Sequence, residues 1–238
     1  MVRSNRILLA ALGALAAAGL ALTGCASSPG GPGSPSIAPD PDLGAAWLDS
    51  GRMVGLVTLG SGTCVPGVEG APEVDDDGVL HVELAMPEAT QPCTSDLVPR
   101  VTFVDLPDGV DPEEDLEIEV TGDEYYGLVQ LEGVAGLDPS GETDYQPSAG
   151  WATAPNQFVI LTWGSSTCLP QMEDIEATGP AEVTVSYVTP PSDEVCTRDM
   201  VPQGAVTAVS GLEADSGVEL VLAGGTFLGV RVPIYGTN

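Results

Sequence analysis

The chain contains no lysine, a single histidine and few aromatic residues. Its six basic residues are all arginine, against 35 acidic residues, and aromatic residues make up 5% of the sequence. A polyanion lacks the Lys and Arg contacts to phosphate that build nucleic-acid affinity, so we expect no nucleic-acid partner. The absence of lysine excludes Ser–Lys catalysis, and His81 is the only imidazole that could act as a base.

Long amphipathic helices are also missing after residue 25. The chain shows instead the period-two alternation of half-buried strands. In VLHVELAM (79–86), Leu80, Val82 and Leu84 share one face, and DLEIEV (115–120) alternates acidic with apolar residues. These segments predict an all-β protein.

Two phrases recur about a hundred residues apart. Gly-Ser-x-Thr-Cys-x-Pro occupies 60–66 and 164–170, and Cys-Thr-x-Asp-x-Val-Pro occupies 93–99 and 196–202. Landmarks that recur in the same order indicate two copies of one domain. With five or six strands expected in each copy, the sequence predicts two tandem small β-sandwich or barrel domains, each with one disulfide. The predicted limits are 46–135 for copy 1, 136–150 for a linker and 151–238 for copy 2.

The amino terminus has the pattern of an export signal. A basic stretch with Arg3 and Arg6 precedes sixteen uncharged residues, 7–22, a run slightly short for a membrane span. The following Leu-Thr-Gly-Cys, ending at Cys25, resembles the lipobox of bacterial lipoproteins. That resemblance implies a signal peptide at 1–24 and lipidation of Cys25 with acyl chains such as palmitate. The bilayer is then a partner, and the protein is held on the extracytoplasmic face of the cell membrane. An ordinary secretory peptide or an uncleaved anchor are the alternatives.

Residues 25–45 are expected to form a lipidated cysteine and a flexible tether. Gly, Ser and Pro dominate this segment, and such a composition cannot bury enough apolar surface to offset the entropy of ordering. The repeated phrases further on are similar to those of uncharacterised actinobacterial lipoproteins, a resemblance that spans both copies and implies no particular activity.

The four cysteines after Cys25 are expected to form disulfides. Each copy has one cysteine after its first strand and one after its third, which favours Cys64–Cys93 and Cys168–Cys196 among the three pairings available. Metal ligation needs three or four ligands, and each copy offers two cysteines. We therefore expect no metal and no cofactor.

No catalytic residue is predicted. Residues 164–168 begin like a nucleophile elbow, but copy 1 has Gly62 where copy 2 has Ser166, and His81 falls on the solvent phase of its strand. Each bridge is expected to gather hydroxyls and one carboxylate into a candidate ligand or turn cluster. The cluster residues are Ser61, Thr63, Thr94 and Asp96 in copy 1, and Ser165, Thr167, Thr197 and Asp199 in copy 2.

The acidic runs at 74–78 and 111–115 have the ligand chemistry of Ca²⁺ but not the spacing of a known calcium loop, and solvated turns explain them. The sequence therefore predicts a non-catalytic binding or interaction module, whose partner is an envelope protein or a small ligand. An extracytoplasmic hydrolase or accessory enzyme and a low-affinity cation-binding surface protein are the alternatives. Trp163, where copy 1 has Leu59, has no role at this point.

Overall fold

The computed structural model describes residues 42–88, 92–122 and 125–238. These residues form fourteen β-strands and one 3₁₀ turn, Asp49–Gly51, and the predicted all-β class is confirmed. No helix among them is long and apolar enough to cross a bilayer. The predicted signal peptide, Cys25 and all but the last residues of the tether lie outside the described residues.

Each copy contains seven strands in the same order, rather than five or six. Copy 1 consists of β1 (Gly44–Leu48), β2 (Met53–Gly60), β3 (Gly67–Val74), β4 (Val79–Ala85), β5 (Val98–Asp105), β6 (Leu116–Gly122) and β7 (Tyr126–Leu131). Copy 2 consists of β8 (Ser148–Trp151), β9 (Gln157–Gly164), β10 (Met172–Gly179), β11 (Glu182–Tyr187), β12 (Val201–Ala208), β13 (Glu219–Gly224) and β14 (Phe227–Tyr235).

The seven strands of each copy form two sheets. In copy 1 these are β1-β2-β5 and β3-β4-β6-β7, with β4 and β6 parallel and the other pairs antiparallel. Copy 2 repeats them as β8-β9-β12 and β10-β11-β13-β14. The long strand β14 also pairs with β8 through Ile234 and Tyr235, which joins the two sheets of copy 2 into one of seven strands.

Both copies have an apolar core between their sheets. In copy 1 the alternating side chains Leu80, Val82 and Leu84 of β4 pack with Trp47 and Leu56 of the three-stranded sheet. Equivalent positions of copy 2 form a second core, and the acidic residues of the alternating strands point outwards. Burying one face of each sheet is what the period-two pattern requires.

The sequence did not reveal four of the strands. β3 and β10 carry glycine and acidic residues, and β3 also a proline, as suits edge strands that are paired on one side only and largely exposed. β1 and β8 are short runs of small residues ending near a tryptophan, with every residue buried. Neither kind of strand has an alternating pattern to detect.

A third apolar cluster joins the two copies. β2 and β9 are buried on both faces: Val54 and Leu56 face the core of copy 1, while Met53 and Val57 face the other copy. Val159 and Leu161 of β9 lie in the same shared cluster. The continuous apolar runs of β2 and β9 are therefore the sequence signal of strands covered on both sides.

The copies meet through equivalent strands, β1 against β8 and β5 against β12. Equivalent residues consequently face each other, as in a two-fold interface. A Cβ added to Gly150 would lie 3.3 Å from the Cβ of its counterpart Ala46, and one added to Gly204 would lie 2.3 Å from Cγ1 of its counterpart Val101. Glycine at these two positions of copy 2 allows the strands of the two copies to approach this closely.

The segment between the copies is held by polar contacts at the end of β1. The buried Asp49 carboxylate accepts hydrogen bonds from Nε and Nη2 of Arg52, both at 3.0 Å, and from the Thr143 hydroxyl at 3.1 Å. Arg52 also donates to the carbonyl oxygens of Asp138 and Ser140. A bidentate Arg–carboxylate pair is geometrically specific, so it fixes the path of the connecting segment.

The predicted disulfide pairing is confirmed in both copies. Cys64 is bonded to Cys93 and Cys168 to Cys196, closing loops of 29 and 28 residues. Each bridge ties the loop after β2 or β9 to the loop before β5 or β12. The two phrases that recur in the sequence therefore meet at one end of each sandwich.

Candidate functional site

The structure brings the four predicted cluster residues of copy 1 together beside the first bridge. The hydroxyl of Ser61 lies 2.8 Å from that of Thr94, and the Thr94 backbone N–H donates to the Thr63 hydroxyl at 3.0 Å. The Gly62 backbone N–H donates to the Asp96 carboxylate at 3.3 Å. Hydrogen bonds from the Thr94 hydroxyl and this N–H lower the pKa of Asp96.

Copy 2 repeats this cluster with one additional hydroxyl. Ser165 lies 2.7 Å from the Thr197 hydroxyl, and the Thr197 backbone N–H donates to Thr167 at 3.1 Å. The side chain of Ser166, the hydroxyl of Thr197 and the Ser166 backbone N–H lower the pKa of Asp199 to about 2. The carboxylate is thus stabilised in its charged form by turn donors.

These contacts define the chemistry of the clusters. Among the described residues, the Ser61 and Ser165 hydroxyls have threonine hydroxyls and backbone N–H groups as partners, and no imidazole. A serine nucleophile requires a base within hydrogen-bond reach. The arrangement closes turns around each bridge and supplies no activated nucleophile.

Beneath the first cluster, copy 1 buries the guanidinium of Arg100, which is 6% exposed. Its nitrogen atoms donate to the carbonyl oxygens of Ser61, at 3.0 Å, and Cys64, and to the Thr58 hydroxyl at 3.2 Å. It also donates to the phenol oxygen of Tyr125. Four acceptors satisfy a cation that would otherwise be costly to bury.

The guanidinium explains the glycine of the repeated phrase. A Cβ on Gly60 would lie 2.4 Å from Cζ of Arg100, so any larger residue would displace the buried side chain. The Tyr125 hydroxyl extends the network to the sulfur of Met86, at 3.7 Å. In the part of copy 1 that the structure describes, the side chains of Arg100, Tyr125 and Met86 therefore fill the bridge end.

Copy 2 has different residues at the two key positions. Gln203 stands where copy 1 has Arg100, and Phe227 where it has Tyr125. The Gln203 amide donates to the carbonyl oxygen of Ser165 at 2.6 Å and to that of Cys168 at 3.4 Å, the counterparts of the Arg100 acceptors. The shorter amide keeps the turn in place but occupies less space, and Phe227 has no hydroxyl to contact it.

A pocket of about 370 Å³ lies at this end of copy 2. Its walls come from the end of β9, the β9–β10 and β11–β12 loops, and the β13–β14 hairpin. Residues lining it include Trp163, Ser165, Cys168, Tyr187, Glu194, Cys196, Gln203 and Phe227. A concave, largely apolar space with a few polar groups is typical of small-molecule sites, and this volume is within their range.

Aromatic rings dominate one side of the pocket. The rings of Tyr187 and Phe227 are 4.7 Å apart, and burial raises the pKa of Tyr187 to about 12, so its phenol stays neutral. Trp163, to which the sequence alone assigned no role, contributes to the wall and packs edge-to-face on Tyr145 at 5.2 Å. The Trp163 indole N–H is buried without a hydrogen-bond acceptor among the described residues.

The carboxylate of Glu194 is the charged group of the pocket. One of its oxygen atoms and the sulfur atoms of Cys168 and Cys196 all lie within 4.8 Å of one another. Both sulfur atoms are bonded to each other in the disulfide, so these three residues do not form a thiolate metal site. Glu194 has no hydrogen-bond or ion-pair partner for its carboxylate among the residues that the structure describes.

His81 lies apart from both clusters, on the outer face of β4. Its imidazole is between Asp75, at 2.9 Å, and Glu119, at 2.6 Å, and the hydrogen bond to Asp75, followed by the charge of Glu119, raises the pKa of His81. The acidic runs are likewise occupied by local contacts. Asp75 accepts backbone N–H groups of its own turn, as does Asp111.

Sequence reasoning located the hydroxyl clusters but missed the pocket. The available signal was the comparison of the two copies at three positions, where Leu59, Arg100 and Tyr125 become Trp163, Gln203 and Phe227. Only the fold shows that these positions surround one space. Cys25, the predicted lipidation residue, lies outside the described residues.

Comparisons of the chain with protein-family models, with curated proteins and with solved structures found no match.

Proposed function

We propose that the chain is a non-catalytic binding protein, held by lipid on the extracytoplasmic face of a bacterial cell membrane, which takes a small ligand into the pocket of copy 2. The observation that carries this proposal is the difference between the copies. Among the described residues, Arg100 and Tyr125 fill the equivalent space in copy 1, whereas the smaller Gln203 and Phe227 leave part of it open in copy 2. A duplicated domain in which only one copy has an open pocket is consistent with a protein that has one binding site.

The surroundings favour binding over catalysis. The space between the copies is filled by the apolar cluster that contains Leu48, Val57 and Leu161, whereas a hydrolase would need a cleft with facing carboxylates. The carboxylates of Asp75 and Asp111 accept backbone N–H groups, which leaves fewer oxygens for a cation. Both points weigh against the enzyme and cation-binding alternatives.

The binding proposal is tested by filling the pocket with the side chains of copy 1. Gln203→Arg combined with Phe227→Tyr supplies the guanidinium and the phenol, and Thr162, Ser165 and Cys168 retain the acceptors that Arg100 uses in copy 1. We expect the native protein to bind at least one of benzamide, benzamidine and benzoate in saturation-transfer NMR, and the filled variant to bind none.

Gln130→Arg on the exposed face of β7 is the matched control, since it makes the same change of charge far from the pocket. It should bind as the native protein does. Equal binding by the filled variant, or no binding of any probe by the native protein, would contradict the proposal.

The lipid anchor is tested separately. In a bacterium that processes lipoproteins, Cys25→Ser should move the protein from the membrane fraction to the soluble extracytoplasmic fraction, because the thiol that carries the diacylglyceryl group is gone. Fractionation with immunodetection measures this directly. If the serine variant stayed in the membrane fraction as fully as the native chain, the anchor would be wrong and an uncleaved hydrophobic segment would replace it.

A further inference from the structure

Copy 1 binds a guanidinium group of its own, that of the buried Arg100 side chain. The Arg100 guanidinium lies over Gly60 and is held by the carbonyl oxygens of Ser61 and Cys64 and by the Tyr125 phenol. The backbone that presents these carbonyls is the repeated Gly-Ser-x-Thr-Cys-x-Pro phrase, closed by the disulfide. The fold is therefore competent to hold a planar cation at this point.

Copy 2 keeps the same carbonyl geometry without the cation. The carbonyl oxygens of Ser165 and Cys168 each accept one bond from the Gln203 amide and have a second lone pair. The Gln203 carboxamide lies over Gly164 as the guanidinium lies over Gly60, and the space of about 370 Å³ adjoins this amide, lined by Gly164 and by Phe227, the counterpart of Tyr125.

The open pocket adds features that favour a cation over a neutral occupant. Aromatic rings of Trp163, Tyr187 and Phe227 form its walls, and Glu194 supplies a carboxylate without an ion-pair partner among the described residues. None of the residues lining the pocket is basic. Aromatic faces attract guanidinium and ammonium groups, more strongly when these are partly desolvated. The excess of 35 acids over six arginines adds a long-range attraction for cations.

We propose that the pocket of copy 2 binds a guanidinium group supplied by the ligand, beside the Gln203 amide that replaces Arg100 of copy 1. This rests on the proposed function, since it names the chemistry of the ligand at that site. The planar group would donate to the carbonyls of Ser165 and Cys168, stack on the aromatic wall and pair with Glu194. A fork of five N–H donors matches several fixed acceptors, which a single ammonium point charge does not.

Isothermal titration of the native protein with N-acetyl-arginine amide and with N-acetyl-citrulline amide tests the proposal. The two compounds have nearly the same shape, but the urea of citrulline is neutral. At an ionic strength of about 0.15 M, which screens exposed surface charge, we expect the arginine compound to bind at least about tenfold more tightly. Agmatine, which has the guanidinium without a peptide backbone, distinguishes a free metabolite from an arginine side chain of a partner peptide.

Three variants locate the binding. Glu194→Gln should weaken the arginine compound several-fold while leaving the citrulline compound unchanged, because only the cation pairs with the carboxylate. Gln203→Arg with Phe227→Tyr should abolish saturable binding of both, whereas Gln130→Arg should bind like the native protein. Circular dichroism and thermal melting check that each variant is folded.

The outcomes separate this inference from the proposed function. Equal affinity for the two compounds, or tighter binding of citrulline, would overturn the guanidinium assignment while the pocket remained a binding site. Arginine binding that survived in the filled variant would also overturn it, since the cation would then be held elsewhere on the acidic surface. If no compound and none of the three aromatic probes bound, both the inference and the proposed function would fail.

Discussion

Replacing Cys168 and Cys196 together with serine will lower the free energy of unfolding by about 3–4 kcal/mol. The bridge closes a loop of 28 residues, and loss of such a constraint restores that much loop entropy to the unfolded chain. It also releases the β11–β12 loop, which carries Glu194 and forms one wall of the pocket. Ligand binding by copy 2 should therefore be lost together with stability. Urea unfolding followed by far-ultraviolet circular dichroism measures the first effect, and saturation-transfer NMR the second.

The other bridge is the matched comparison. Replacing Cys64 and Cys93 with serine opens a loop of 29 residues and should cost nearly the same free energy, but it lies in the copy without the proposed site. Under conditions where both variants are folded, only the change in copy 2 should remove binding. A loss of less than about 1 kcal/mol for either pair would show that the bridges contribute little, contrary to the loop-entropy argument.

Gly150→Ala will destabilise the protein by about 2–3 kcal/mol, although it adds one methyl group. The new Cβ would lie 2.3 Å from the carbonyl oxygen of Trp47 on the facing strand of copy 1, and a backbone atom cannot move aside as a flexible side chain can. Because Ala46 already occupies the equivalent position of β1, the interface admits one alanine and one glycine. The midpoint of urea unfolding reports the change.

Gly67→Ala is the control for this prediction. Gly67 is an exposed strand residue, and a Cβ built on it meets no atom within 4 Å. Its substitution should be neutral or slightly stabilising, because alanine has less conformational entropy to lose on folding. If both substitutions had the same small effect, the close packing of β1 against β8 would be wrong.

Much of the fold followed from two patterns in the sequence. Period-two alternation located β4, β6, β11 and β13, and the recurring phrases gave the duplication and, from it, the disulfide pairing. The packing of one copy on the other did not follow, although the apolar runs of β2 and β9 carried its signal. A largely apolar run is equally consistent with a strand at the centre of a single sandwich. The pattern alone therefore does not show that the second face of β2 and β9 packs on the other copy.

The candidate site, like the fold, could be predicted from the sequence only in part. The residues beside each bridge could be grouped in advance, because a disulfide brings both flanking phrases to one place. The buried state of Arg100 could not, since arginine is rarely buried and its burial depends on acceptors from three separate elements. Once that burial is known, the change to Gln203 becomes the most informative difference between the copies.

The indole N–H region of a ¹H–¹⁵N spectrum shows directly whether copy 2 has an open binding pocket where copy 1 is filled. The protein has three tryptophans, and only Trp163 lines the pocket; the Trp47 indole is bonded to the Glu132 carbonyl and that of Trp151 lies in the core of copy 2. On titration with N-acetyl-arginine amide, we expect a saturable shift of the Trp163 signal, with the signals of Trp47 and Trp151 unmoved. The shift should vanish in the Gln203→Arg, Phe227→Tyr variant. If the Trp163 signal stayed in place throughout, or moved equally in the filled variant, copy 2 would not bind a ligand in this pocket.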